Sequence, residues 1–129
     1  TGKDLTIVAT GIMVKKSLEV AEKLSAEGIE VTVIDPRTIS PLDMSTTFES
    51  VDSTGRLLVV QEGPSHGGFI NEVVAQVAGS HVFGSLKAPI KKVAGLNIPI
   101  PYAPQLEKAA VPQVEDIYAS ANEIVKTWR

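Results

Sequence analysis

Arg56-Leu57-Leu58-Val59-Val60-Gln61-Glu62-Gly63-Pro64-Ser65-His66-Gly67-Gly68-Phe69 decides the fold. Leu57 to Val60 is a continuous apolar run, half of it β-branched, which suits a strand buried on both faces. Gly63, Pro64, Gly67 and Gly68 then turn the chain. From Ile70 the period becomes that of a helix, with Ile70, Val73, Val74 and Val77 on one face. Gly79 stands where such a helix commonly ends. A strand that turns through glycines into a helix is the building unit of an open α/β sheet. Its turn lies at the strand's carboxyl end, where these sheets place their sites. Backbone N–H groups at the new helix start have no partner within the helix and suit an anion or another protein's carboxylate.

The same alternation extends in both directions. Leu5-Thr6-Ile7-Val8-Ala9-Thr10 reads as a first strand with Gly11 at its exit. Val14, Leu18, Ala21 and Leu24 then recur at helical spacing, and Gly28 closes that helix. Glu19 and Lys23, four apart in the favourable order, add a few tenths of a kcal/mol if paired. Val31-Thr32-Val33-Ile34 is a second strand. Ser40-Pro41-Leu42-Asp43 has the form of a helix start: a capping hydroxyl, a proline at the first position and an acid to complete a capping box. Leu42, Phe48 and Val51 face inward from it. Pro89-Ile90-Lys91-Lys92-Val93-Ala94 is a weaker fourth strand, placed near an edge by its two lysines. Between Gly95 and Pro112, Pro99, Pro101, Pro104 and Pro112 stiffen an extended arm. Ile117, Ala121, Ile124, Val125 and Trp128 form the apolar stripe of a last helix, one that docks rather than floats. Strands alternating with helices, joined by long connections, predict a three-layer α/β/α domain over residues 1–129 with a mostly parallel sheet.

Composition removes several function classes. The chain has 129 residues and a net charge of −3, too mild a balance to imply nucleic acid or a membrane surface. It contains no cysteine, so disulfides and thiolate metal sites are excluded, and two histidines alone make a poor metal site. No apolar run reaches membrane-spanning length and no signal-peptide pattern opens the chain. The first residue is Thr1, which reads as the product of processing or as a cut from a longer protein.

Local chemistry gives no self-contained active site. Gly63-Pro64-Ser65-His66-Gly67 matches the nucleophile-elbow pattern, but a triad needs an acid and then a histidine downstream. His81 is the only later histidine and no aspartate lies between Ser65 and it, so the residues read as a turn. His66 has no partner in the sequence and reads as a surface histidine. Glu62 suits a cation or a helix cap. One glycine in Thr10-Gly11-Ile12-Met13 falls short of a dinucleotide fingerprint, and Asp35 stands alone as a ribose acid. The Lys15/Lys16 and Lys91/Lys92 pairs read as solvated. Three readings of function stay open on the residues alone: an assembly domain, an anion- or nucleotide-binding module built on the Gly67/Gly68 helix start, and a small hydrolase acting through Ser65.

A family resemblance adds to this. Asp4-Leu5-Thr6-Ile7-Val8-Ala9 before Gly11 and Met13, Ile34-Asp35-Pro36-Arg37-Thr38-Ile39-Ser40-Pro41-Leu42-Asp43, Thr54-Gly55-Arg56 with its strand, Glu62-Gly63-Pro64, Gly67-Gly68-Phe69, Pro99-Ile100-Pro101-Tyr102-Ala103-Pro104 before Leu106-Glu107, and Val111-Pro112-Gln113-Val114-Glu115-Asp116-Ile117 run nearly end to end. In that order the chain resembles the C-terminal domain of the β subunit of thiamine-diphosphate-dependent 2-oxo acid dehydrogenases, as in pyruvate dehydrogenase, and shares the transketolase C-terminal-domain fold. Pro36, Gln61 and Asn97 depart from the family's usual residues.

The resemblance implies a five-stranded mixed sheet, with one antiparallel edge strand supplied partly by residues before Thr1. It implies a fragment of a longer β subunit without its N-terminal pyrimidine-binding domain. No catalytic, cofactor-binding or metal-binding residue would lie in this chain; thiamine diphosphate and Mg²⁺ would belong to the complete enzyme. The implied partners are an α subunit, a second β subunit and the dihydrolipoyl acyltransferase core, with no nucleic acid and no membrane. The implied compartment is bacterial cytoplasm, mitochondrial matrix or plastid, not the secretory route. Candidate interface residues are Glu62, Gly63, His66, Gly67, Gly68 and Phe69 at the turn, Ile98, Pro99, Ile100, Pro101 and Tyr102 on the arm, and Asp116 and Glu123 on the last helix.

Overall fold

A computed structural model describes residues 2–36, 44–64, 69–95 and 111–128. Four strands, β1 (Leu5–Ala9), β2 (Val31–Ile34), β3 (Leu57–Pro64) and β4 (Lys91–Gly95), form one sheet in the order β2-β1-β3-β4. All three pairings are parallel, with Leu5 opposite Val31, Ile7 opposite Leu58, and Val60 opposite Val93. Helices α1 (Ile12–Ala26), α2 (Ser45–Thr54), α3 (Phe69–Ala78) and α4 (Val114–Thr127) cover it. The sheet among the described residues therefore has four strands rather than five and no antiparallel edge. The edge strand that the resemblance implies is not among these residues, and the outer side of β2 carries no strand from them.

The two-residue period of β1 and β3 divides the interior into two cores. Leu5, Ile7, Ala9, Leu58 and Val60 point to one face, where Met13, Val20 and Leu24 of α1 and Ile117, Ala121, Ile124 and Val125 of α4 pack on them. Val8, Leu57 and Val59 point to the other, against Val51 of α2 and Ile70, Val73 and Val77 of α3. Leu57 to Val60 are all fully buried, as their unbroken apolar run predicts. Thr6 occupies the α2 face of β1 between two apolar neighbours. Its hydroxyl meets Ser50 Oγ at 2.6 Å and Thr54 Oγ1 at 2.9 Å, and Thr54 Oγ1 also donates to the Arg56 carbonyl. The buried hydroxyls of Thr6 and Thr54 are thus satisfied, and α2 is held in register on the sheet.

Two apolar faces differ from the sequence reading. On α1 the buried stripe is Met13, Ser17, Val20 and Leu24, one residue out of phase with Val14, Leu18 and Ala21. Leu18 is 51 % exposed. Ser17 enters the core although its hydroxyl finds no partner among the described residues. On α4, Ile117, Ala121, Ile124 and Val125 are buried as expected, but Trp128 lies past the helix end and is 45 % exposed.

Helix ends follow local chemistry. Gly28 has φ +83°, and the N–H groups of Gly28 and Ile29 reach the carbonyls of Ser25 and Leu24. That is the paired-bond ending of a Schellman motif, with Ile29 packed in the same core as Leu24. Gly55 ends α2 in the left-handed region at φ +70°. Gly79 does not follow this pattern: α3 stops at Ala78 with no positive φ at Gly79, and Ser80 instead caps a 3₁₀ helix over His81–Ser85 by accepting from the Val82 N–H. The Ser40-Pro41-Asp43 helix start lies outside the described residues; the described part of α2 begins after Met44, which makes no side-chain cap.

Candidate functional site

The carboxyl end of β3 is built by backbone irregularity and one buried amide. From Val60 to Pro64 β3 advances four residues while β4 advances only two, from Val93 to Gly95. The slip falls at Gln61–Gly63 and marks a bulge, the device by which sheets re-aim side chains at their rims. Gln61 is 5 % exposed, and its Oε1 accepts the Ile70 N–H at 3.2 Å. A strand residue therefore takes up one of the otherwise unpaired donors of α3. This side chain stood in the sequence only as a departure from a family pattern. With it in place, the start of α3 has fewer donors left for an anion, which weakens the anion-module reading.

Glu62 is exposed beside it, Gly63 belongs to β3, and Phe69 is the first residue of α3. Ser65, His66, Gly67 and Gly68 lie outside the described residues, as do Ile98, Pro99, Ile100, Pro101 and Tyr102 of the arm. His81 opens the 3₁₀ helix after α3, which carries the chain about 15 Å back along the sheet. Its ring packs edge-on against Phe48 at 5.7 Å. It thus sits at the opposite end of α3 from the turn, and the hydrolase reading loses its only downstream histidine.

Helix α4 gives the two acidic candidates local work. Asp116 Oδ2 accepts the Gln113 N–H at 2.8 Å, completing a capping box at the helix start. Glu123 pairs with Lys91 Nζ at 2.8 Å, at the amino end of β4. Seven residues separate the two carboxylates, about 10 Å along the helix, so they do not form one cluster. The lysine pairs are also less free than they read. Lys16 Nζ donates to the Pro112 carbonyl at 2.8 Å, and Lys92 Nζ donates to Asn71 Oδ1 at 3.0 Å. Glu19 and Lys23 form no ion pair with each other. Tyr118 donates its phenol to Glu27, and that carboxylate also lies 3.7 Å from Lys126. The hydrogen bond to Glu27, with some burial and the carboxylate's charge, raises the Tyr118 pKa above its ordinary value.

The least expected arrangement is at the far end of α4. Arg56 is 7 % exposed. Its Nε and Nη2 donate to the Trp128 carbonyl at 3.2 and 2.8 Å, and its Nη1 donates to the Asp4 carbonyl at 3.0 Å. A guanidinium thus meets the negative end of the α4 dipole and ties it to the entries of β1 and β3. Trp128 is held beside Phe83, which is 58 % exposed, and with Leu86, Pro89 and Ile90 they line an apolar groove of about 390 Å³. Among the described residues no group of three or more His, Asp or Glu is placed to hold a metal ion.

Residues 1–117 match the family model described as transketolase, C-terminal domain. The chain belongs to the transketolase C-terminal domain family. It is 45 % identical over 125 residues to the β subunit of acetoin:2,6-dichlorophenolindophenol oxidoreductase from Cupriavidus necator, covering 97 % of this chain and 37 % of that one. It is 48 % identical over 120 residues to a mitochondrial pyruvate dehydrogenase E1 component β subunit from Arabidopsis thaliana, covering 90 % and 32 %. This member of the transketolase C-terminal domain family therefore spans about a third of the length of those relatives. Its fold superposes on a chain of a split-gene transketolase, an inactive β4 tetramer, with a TM-score of 0.84 and 31 % identity, covering all of this chain and 41 % of that one.

Proposed function

We propose that this chain is the C-terminal domain of a β subunit of a thiamine-diphosphate-dependent 2-oxo acid dehydrogenase, with pyruvate as the substrate class, and that its work is assembly. The single observation that carries this reading is the similarity of nearly the whole chain to about a third of a pyruvate dehydrogenase E1 β subunit and of an acetoin oxidoreductase β subunit. The exposed Phe83–Trp128 groove, fixed from below by Arg56, supports an assembly role, because it is an apolar surface kept rigid rather than a cleft of convergent polar groups. In this reading an N-terminal pyrimidine-binding domain precedes it in a longer subunit. An α subunit, a second β subunit and the acyltransferase core are the partners. The compartment is bacterial cytoplasm, mitochondrial matrix or plastid. In this reading Glu62, Gly63, Phe69 and residues 66–68 and 98–102 contribute to contacts with the neighbouring subunits, and Asp116 and Glu123 border the core-binding side.

The described residues do not fit the cofactor itself. They offer no cluster of oxygen ligands for Mg²⁺, and Gln61 takes a helix-start donor that a pyrophosphate would use. In the complete enzyme the chain's contribution is to hold neighbouring catalytic domains in place, so that a 2-oxo acid is decarboxylated and its acyl group passed to lipoyl-lysine elsewhere.

Replacing Phe83 and Trp128 by alanine in the full β subunit tests the assembly reading. Decarboxylation of pyruvate with an artificial electron acceptor should persist, while binding of the acyltransferase core weakens by about tenfold or more, the effect of losing a buried aromatic anchor. Unchanged core binding, together with loss of acceptor-linked decarboxylation, would count against it. A second reading, the corresponding domain of another transketolase-like enzyme, is favoured by the likeness to the split-gene transketolase. Ketol transfer between sugar phosphates by the full enzyme, without oxo-acid decarboxylation, would select it.

A further inference from the structure

We infer that the cleft between α1 and α4 is a binding site for a small zwitterion, an α-amino acid with an apolar side chain. The cleft has a volume of about 400 Å³, within the range of small-molecule sites. Lys23, Ala26 and Glu27 line it from the end of α1, and Glu115 and Tyr118 from the start of α4. It shares no residue with the Phe83–Trp128 groove, so the site stands whatever occupies that groove. The charges around the cleft are in two conditions. Glu27 is satisfied: it accepts the Tyr118 phenol, which bridges the two helices, and it lies 3.7 Å from Lys126. Lys23 and Glu115 are not. Neither has a hydrogen bond or an ion pair among the described residues, and they do not pair with each other across the cleft. Lys23 also has a carboxylate one turn away on either side, Glu19 and Glu27, at the spacing that suits helical ion pairs. It pairs with neither. Its ammonium is left to the cleft.

An open cation on one wall and an open anion on the other, too far apart to meet, match a ligand that carries both opposite charges. The ammonium of an amino acid would sit on Glu115 and its carboxylate on Lys23, each through a charge-assisted hydrogen bond. The Ala26 methyl and the Tyr118 ring supply apolar surface for its side chain. A lone amine or a lone carboxylate satisfies one wall and leaves the other as it was, and a single exposed charge pair is worth little. The zwitterion is thus preferred to either half of it. Lys23, Ala26, Glu27 and Glu115 are all exposed, so water competes and the affinity is modest.

L-Leucine is the probe, titrated by calorimetry into the complete polypeptide that carries this domain. Saturable one-site binding with a Kd on the order of 1 mM is expected. Isoamylamine, which is leucine without the carboxylate, and isocaproate, which is leucine without the ammonium, should each bind at least about fivefold more weakly. Lys23→Gln and Glu115→Gln should each weaken leucine about fivefold or more. Both should leave the thermal midpoint where it was, since neither residue has a partner among the described residues to lose. Absence of saturable heat up to about 20 mM leucine would overturn the site. So would leucine binding that is indifferent to both substitutions, or either single-charge analogue binding as well as leucine does.

Discussion

Arg56 is a full charge at a site 7 % open to solvent, and it forms no ion pair among the described residues. Its three bonds all go to backbone carbonyls, which are the partners a fixed guanidinium fork serves well. Removing it leaves the Trp128 and Asp4 carbonyls short of a donor in a closed space. Arg56→Gln should therefore cost about 2–3 kcal/mol in urea unfolding, and Arg56→Lys should recover part of that. Trp128 is the only tryptophan, so its emission reports the same event without ambiguity. A red shift is expected in Arg56→Gln before global unfolding. Tyr118 is a second residue whose setting makes a measurable difference. Its phenol is held protonated by Glu27, so its folded pKa lies above the unfolded value of about 10. The stabilisation from that bond is complete below about pH 10 and is lost as pH rises through the higher folded pKa. Thermal midpoints measured between neutral pH and strongly alkaline pH should fall more steeply in the parent chain than in Tyr118→Phe.

At the scale of elements, the turn that ends α2 is tighter than the one that ends α1. A Cβ added to Gly55 would lie 2.9 Å from the Ser85 carbonyl oxygen and 2.9 Å from Lys87 Cγ, while one added to Gly28 would meet nothing within 4 Å. Both glycines have positive φ, so both pay the strain of a left-handed residue, about 1–2 kcal/mol. Gly55→Ala adds an overlap with backbone, and should cost at least about 1 kcal/mol more than Gly28→Ala in chemical denaturation. The elements also show what a sequence carries. The β3–α3 boundary was legible because the apolar period changes at Ile70, and the edge place of β4 was legible from Lys91 and Lys92. The α1 face was not. Val14, Leu18 and Ala21 form as good a stripe as Met13, Ser17 and Val20, and a serine in the core argues against the stripe that is in fact buried. The 3₁₀ helix at His81–Ser85 buries only Val82, too little pattern to read. Gln61 and Arg56 were illegible as site residues for another reason. Their partners are fixed by the fold; the Trp128 carbonyl that Arg56 holds is 72 residues away along the chain.

For the whole molecule, two apolar cores on either side of a parallel sheet make a rigid body. Among the described residues, the surfaces left over include a groove at Phe83 and Trp128, a β2 edge with no further strand and the outer face of α1. None of these combines a nucleophile, a base and an oxyanion site, and the family relation places similar domains at the end of longer enzyme subunits. The central claim is that this domain serves catalysis by holding other domains together. It is tested most directly by assaying thiamine-diphosphate-dependent decarboxylation of pyruvate with an artificial electron acceptor, first with the 129-residue chain alone and then with the full β subunit and its α subunit. The account predicts no turnover by the chain, turnover by the assembled subunits, and loss of that turnover with the heterotetramer when the domain is deleted from the β subunit. Oxo-acid turnover by the isolated chain, or a deletion that leaves an active heterotetramer, would contradict it.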